Sequence, residues 1–355
     1  MSPMGTPERA PLRVAVTGGA GFIGTHTVRL LLDRGDQVLV IDDLRHPCGQ
    51  EIPAPAELLV ADIASTAAGD ALSDFHPDVV IHLAAQGGVT RSLRDPASDA
   101  LNNVVGTVAL LRSMVSAGCR RMVFASSGGA IYGRARRLPS LETDAAKPLS
   151  PYGAAKLAGE GYLGMFRRTF QLEFTAMRYG NVYGPFQDGT GEAGLVAITC
   201  NRLLRGLGPQ ITGDGGQTRD FVYVGDVARA NVLAVDRPIQ ACVNIGTGRG
   251  SSVLDVVAVL SRLAGWTLSP LHVEGRPGEV RSNFLDASRA EARLGWRALT
   301  TLEEGLGATL ATFSNSARPD QDPQIVNRFA LTGGEGSSFG SARSGASPAP
   351  RSLAE

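Results

Sequence analysis

The sequence predicts an α/β fold, a doubly wound parallel sheet followed by a smaller α/β domain. Three observations carry this. A short β-branched run at residues 12–17 (LRVAVT) leads into Gly18-Gly19-Ala20-Gly21-Phe22-Ile23-Gly24 and then into a helical stretch. Apolar strand-like segments alternate with helix-length segments over the first 180 residues. The chain's 355 residues, 43% of them hydrophobic, can fill a large core and exclude a wholly disordered chain.

Taken in order, residues 25–34 read as a helix that stops at Gly35. Residues 37–42 (QVLVID) form a second buried strand, 58–60 a third before Asp62, and 78–84 (DVVIHLA) a fourth. Strands at 121–126 and 173–178 follow, with helices at 101–117 and 152–169. Beyond residue 180, helices at 195–204, 226–235 and 253–263 are separated by loops rich in Gly and Pro. The sheet domain is therefore expected over 12–180, with a later strand near 243–246 returning to it. The smaller domain is expected mainly over 181–313. The Ser/Gly/Pro-rich stretch 314–355 buries too little to offset its ordering entropy and is expected to be a disordered tail.

The 34 basic and 34 acidic residues cancel, so no global field draws nucleic acid or an anionic membrane. No apolar window is long enough to span a bilayer, and residues 1–12 carry no signal-peptide pattern. Cys48, Cys119, Cys200 and Cys242 are far apart, with no histidine at ligand spacing. That pattern predicts buried thiols in a reducing cytoplasm and no metal site. Lys147 and Lys156 are the only lysines among the 34 basic residues.

The glycines between strand and helix suit a phosphate cradle. The first permits the tight turn, the second a close backbone approach to a pyrophosphate, and the third close helix–strand packing. Asp42 ends the second strand 18 residues past Gly24, where a carboxylate accepts from both adenosine ribose hydroxyls and repels a 2′-phosphate. NAD is expected over NADP, with Arg45 the residue that would favour the latter.

Ser150-Pro151-Tyr152-Gly153-Ala154-Ala155-Lys156 opens a helix, with serine able to cap it and proline suited to its first turn. Tyrosine and lysine four residues apart share a helical face. A free tyrosine ionises near pH ~10, and a neighbouring cation favours its phenolate. Lysine, a compact charge, suits that place and can also bind ribose hydroxyls.

Together these segments make the chain resemble the extended short-chain dehydrogenases/reductases, specifically nucleotide-sugar epimerases of the UDP-glucose 4-epimerase type. The motifs are TGGAGFIG (17–24), HLAAQ (82–86), NNVVGT (102–107), SSGGAIYG (126–133), SPYGAAK (150–156), RYGNVYG (178–184), GDGGQTRDFVYVGD (213–226) and RPGEV (276–280). The likeness runs from about residue 13 to 312.

The resemblance implies a Rossmann domain that binds NAD through Gly18, Gly21 and Gly24, with the Phe22 and Ile23 amides on the pyrophosphate. Asp42 would take the ribose and Asp62 and Ile63 the adenine. Leu83, Ala84, Ala85 and Asn102 would line the rest of the cofactor. It implies Tyr152 as catalytic base, Lys156 as its electrostatic partner and ribose anchor, and Ser126 or Ser127 as an assisting hydroxyl, with Ser127 preferred. Asn181, Arg219 and Arg276 would hold the substrate, the arginines on its diphosphate, with Glu279 on the uridine ribose. Asn283 aligns where some relatives place a tyrosine beside the sugar. The implied activity is C4 epimerisation of a UDP-sugar through a transient 4-keto form. UDP-GlcNAc and UDP-glucuronate are alternative substrates. A 4,6-dehydratase lacks support in the loop at 127–130, which has no carboxylate, and a non-catalytic NAD-binding protein is the remaining alternative. Members often dimerise through the helices at 101–117 and 152–169.

Overall fold

Alternating burial along one strand sets the architecture. In β1 (Arg13–Thr17), Val14 and Val16 enter one apolar cluster and Ala15 the opposite one. Both faces of the strand are therefore covered. The computed structural model describes residues 10–190, 194–275 and 280–316.

With β1 stand β2 (Gln37–Asp42), β3 (Glu57–Val60), β4 (Val79–His82), β5 (Arg121–Ser127) and β6 (Glu173–Tyr179), all parallel. Their order is β3-β2-β1-β4-β5-β6, and a later strand at Ala241–Ile245 adds to β6 in parallel. Strand order reverses between β1 and β4, and the crevice beyond their carboxyl ends is where such sheets bind ligands.

One face is covered by α1 (Phe22–Asp33) and the other by α2 (Thr66–Phe75), α5 (Gly106–Ser116) and α7 (Pro151–Phe170). Between β4 and α5 lie α3 (Val89–Arg94) and α4 (Pro96–Ala100). A single turn, α6 (Gly128–Ile131), follows β5. The helix expected over 101–117 begins instead as a π-helical turn, Leu101–Val105, before α5. In that wider turn Asn102 binds the Ser98 carbonyl at 2.7 Å while Asn103 reaches the Gln86 backbone at 2.8 and 3.0 Å.

The chain past 181 divides between two places. The short strands β7 (Asn181–Tyr183), β8 (Gln210–Thr212), β9 (Thr218–Arg219) and β10 (Phe221–Tyr223) lie outside the main sheet, with α8 (Leu195–Leu204) among them. Helix α9 (Val224–Asp236) then returns to pack on α1, and β11 (Ala241–Ile245) is the strand beside β6. After β12 (Ser251–Ser252), α10 (Val253–Leu263), β13 (Leu271–Val273) and β14 (Ser282–Asn283), α11 (Ser288–Leu294) joins the sheet core with Trp296. Finally α12 (Leu302–Ser316) packs with α8 and α10 around Tyr183, Cys200, Phe221 and Leu260 as a separate small core.

Residues 317–355, most of the expected tail, lie outside the described residues. Among the described residues no helix is long and apolar enough to cross a membrane. All four cysteines are free, but only Cys119 and Cys200 are buried. Cys48, in the loop after β2, and Cys242, on the outermost strand of the sheet, are half-buried, because neither position is covered on both sides.

Candidate active site

The carboxyl ends of the strands enclose a cleft of about 550 Å³. Its first wall is the β1–α1 turn. Gly18 has φ +72°, and a Cβ there would lie 2.5 Å from the Ala84 amide nitrogen. A Cβ on Gly24 would lie 2.1 Å from the Gly18 carbonyl oxygen. Both positions therefore require glycine. Gly21 is the N-cap of α1, and no side chain caps that helix. Its first-turn amides remain open to an anion, as a pyrophosphate requires.

Asp42, at the end of β2, accepts from the Ala20 amide at 3.0 Å and the Leu44 amide at 2.9 Å. It lines the cleft and ties the glycine turn to the loop after β2. Asp62, Ile63 and Asn102 line the same end, and Leu83, Ala84 and Ala85 the middle. Arg45 spans this end, with Nε 2.5 Å from Asp43 and an Nη 3.2 Å from Asn102 and 3.4 Å from Asp62. Arg91 and His46 meet at 2.7 Å. These cross-cleft contacts have no motif in the sequence.

At the far end stand Ser126, Tyr152, Lys156 and Tyr179. Ser150 caps α7 through the Gly153 amide at 3.1 Å, and Pro151 takes the first turn. The Cβ of a residue at 153 would strike the Ala130 carbonyl at 2.6 Å, so Gly153 lets α7 press against the loop after β5. Lys156 is 4% exposed, with Nζ 5.2 Å from the Phe124 ring centre and 5.8 Å from that of Tyr152.

The two serines of the loop separate clearly. Ser126 is buried and donates to Glu160 Oε1 at 2.6 Å. Glu160 is also held by Arg178, through Nε at 2.9 Å and an Nη at 2.6 Å. Ser127, half-buried, stands by the Tyr152 phenol, whose ionisation its hydroxyl eases.

The electrostatics differ from the expectation of a phenol brought toward neutrality by the ammonium. Burial pushes the Tyr152 phenol up to about 12, the Ser127 hydrogen bond pulls it down, and the Asp99 carboxylate adds to the rise. Lys156 is pushed down to about 8 by burial, against the pull of Asp99. In so dry a place the cost of charging each group outweighs what its partner returns.

Of the expected substrate residues, Arg276 and Glu279 lie outside the described residues. The others cluster past the serine loop. A Cβ on Gly129 would stand 3.4 Å from Asn181 Oδ1 and 3.7 Å from Ser127 Oγ. Asn283 pairs with Arg219 in the β14–β9 register. Its amide donates to the Gly128 and Gly129 carbonyls at 3.2 and 3.3 Å. Asn283 is 3% exposed, so it braces the loop as well as facing its neighbours.

A glycine turn, a strand-end carboxylate and a Tyr-x-x-x-Lys face on one cleft define a dinucleotide-dependent enzyme of the extended short-chain dehydrogenase/reductase class. The chain belongs to the NAD dependent epimerase/dehydratase family, whose model matches residues 14–246. It is 40% identical over 314 residues to the UDP-glucose 4-epimerase of Mycolicibacterium smegmatis, covering 86% of this chain and 100% of the relative. Among solved structures, the UDP-glucose 4-epimerase of Thermotoga maritima with UDP-glucose superposes with a TM-score of 0.84 at 42% identity, over 86% of this chain and 99% of that one. That of Thermus thermophilus with NAD gives a TM-score of 0.80 at 39% identity, over 85% and 99%.

Proposed function

We propose that the chain interconverts the C4 epimers of a UDP-hexose, UDP-glucose and UDP-galactose first, with NAD held in the cleft. The observation that carries this is the placement of Tyr152, Lys156 and the Gly18–Gly24 turn on one continuous cavity. The open first turn of α1 and the Cβ-free approach of Gly18 and Gly24 fit a pyrophosphate there. Gly18, Gly21, Phe22, Ile23 and Gly24 would hold it, Asp42 the adenosine ribose, and Asp62, Ile63 and Asn102 the adenine. When bound, NAD supplies the acceptor, and then the donor, of the C4 hydride, together with a positive charge in the cleft.

Tyr152 removes the proton of the sugar 4-hydroxyl and returns it at the end. Ser127 hydrogen-bonds the same oxygen and so steadies the charge that develops there. Ser126 has no such part in this reading, since its hydroxyl is committed to Glu160. Lys156 supplies the ammonium beside the phenol and binds ribose hydroxyls. Arg219, with Arg276, grips the diphosphate while the hexose, held more loosely near Asn181 and Asn283, turns between the two halves of the reaction.

The chain also acts as a homodimer in the cytoplasm in this reading. The exposed apolar side chains Leu93, Leu101 and Val105, on elements that pack against α7, and Tyr162 on α7 itself, support a second copy there. Incubation with UDP-galactose is expected to yield UDP-glucose with no net accumulation of NADH. Accumulation of a 4-keto-6-deoxy sugar, or no conversion across a panel of UDP-hexoses, refutes the reading.

A further inference from the structure

One carboxylate beside the site has no part in the reaction so far. Asp99, on α4, is 0% exposed. Its Oδ1 accepts from Asn103 at 2.9 Å, while Oδ2 has no hydrogen-bond partner among the described residues. An anion held out of water with acceptor capacity unused is costly to keep. A neutral amide of the same shape would cost less.

Its surroundings supply a reason for keeping it. Helix α4 packs against α7, which carries Tyr152 and Lys156. Asn103, which grips Asp99, also donates to the Gln86 carbonyl at 3.0 Å and accepts from the Gln86 amide at 2.8 Å. The carboxylate is thereby fixed to the loop that lines the cleft, and the π-helical turn lets one asparagine reach both partners.

The titratable groups around Lys156 come from four elements: Tyr152 and Glu160 on α7, Asp99 on α4, His82 on β4 and Tyr179 on β6. His82 is neutral. It lies between Thr17 at 2.7 Å and Thr107 at 3.0 Å, and burial pushes it down to about 3. Tyr179 is raised by burial and donates to Asn231 at 2.6 Å. Glu160 is neutralised by Arg178 at 2.6 Å and also takes the Ser126 hydroxyl, which leaves Asp99 as the carboxylate of this set without an ion-pair partner among the described residues.

We propose that Asp99 is a positioning residue for the tyrosine–lysine pair: its carboxylate is the counter-charge that keeps Lys156 an ammonium inside the cleft. This rests on Tyr152 and Lys156 being the reacting pair. The carboxylate acts through space, so the Lys156 donors stay available to ribose hydroxyls. It favours the charged form of Lys156 and disfavours that of Tyr152, so its removal moves both proton equilibria to lower pH.

The two lysines of the chain make this directly measurable. Full-length protein labelled with carbon-13 at lysine Cε gives two side-chain resonances, and Lys147→Arg assigns the one from Lys156. Asp99→Asn is expected to lower the Lys156 midpoint by about half a pH unit or more. The pH profiles of NAD affinity and of turnover should move with it to lower pH rather than shrink in place. Asp99→Glu, which restores the charge, should bring the midpoint back toward the wild-type value. Should Asp99→Asn not fold, Asn103→Ser weakens the carboxylate by removing its donor, and the Lys156 midpoint again falls. An unmoved Lys156 midpoint in the folded variant overturns the proposal. The resonance is read without substrate, so an inactive wild-type chain whose Lys156 midpoint still responds refutes the epimerase reading alone.

Discussion

The Ser126 hydroxyl donates to Glu160 Oε1 at 2.6 Å, which commits it to the carboxylate one turn beyond Lys156 on α7, while its neighbour Ser127 acts on the Tyr152 phenol. Adjacent strand residues point to opposite faces, so two serines in a row cannot share one task. Ser127→Ala is expected to lower turnover about 10- to 100-fold with little change in melting temperature. Ser126→Ala should do the reverse, costing about 1–3 kcal/mol of stability through the loss of a donor to a buried carboxylate. Parallel kinetics and thermal melts on the two variants check this, and equal kinetic damage in both would refute it.

Tyr152→Phe removes the acid–base group while leaving the cleft's shape intact. A loss of about 10²–10⁴ in turnover is expected, with NAD still retained on gel filtration. Undiminished turnover would remove Tyr152 from its assigned role.

Lys156 gives a pH signature in two measurements of opposite sign. Its folded-state value is about 8 against an ordinary 10.5. Between those values the unfolded chain binds the extra proton and the folded chain does not, so this group's contribution to stability rises with pH across that window. Below about 8 its burial cost is present in full. Turnover, which needs the ammonium, should instead fall as pH passes about 8. Melting temperature and rate measured across one buffer series test both, and Lys156→Met should flatten the rise in melting temperature.

Arg178 and Glu160 form a buried ion pair beneath the serine loop, with side chains 7% and 6% exposed. Glu160→Ala leaves the guanidinium buried without its partner and should cost about 3–5 kcal/mol. Denaturant titration reads this directly. A loss below about 1 kcal/mol would mean that Tyr132 and the Glu142 carbonyl, which Arg178 also reaches, suffice to hold it.

Gly24→Ala places a methyl group 2.1 Å from the Gly18 carbonyl. The turn must open, and NAD binding should weaken by at least about tenfold. Calorimetric titration with NAD tests this, and unchanged affinity would show that the turn can shift at little cost.

Local patterns made much of this legible in the sequence. The glycine turn, Asp42 and the capped Tyr152–Lys156 helix each depend on spacing within one segment, and helices α8 and α10 fall at their expected bounds. The roles of Ser126 and Ser127 depend on Glu160, one turn beyond Lys156 on α7, and therefore on how α7 packs against β5. Asp99 stands in an ordinary-looking polar stretch, and its burial arises only once α4 has packed on α7. The dryness around Tyr152 is hidden for a related reason: spacing gives the nearness of an ammonium but says nothing of burial.

The return of α9 and β11 to the sheet has a consequence for how the chain can be divided. A fragment stopped at residue 180 would expose the β6 edge and uncover the valines that α9 shields. Neither piece would keep its apolar surface covered, so a cut at that point would yield no self-standing module for fusion.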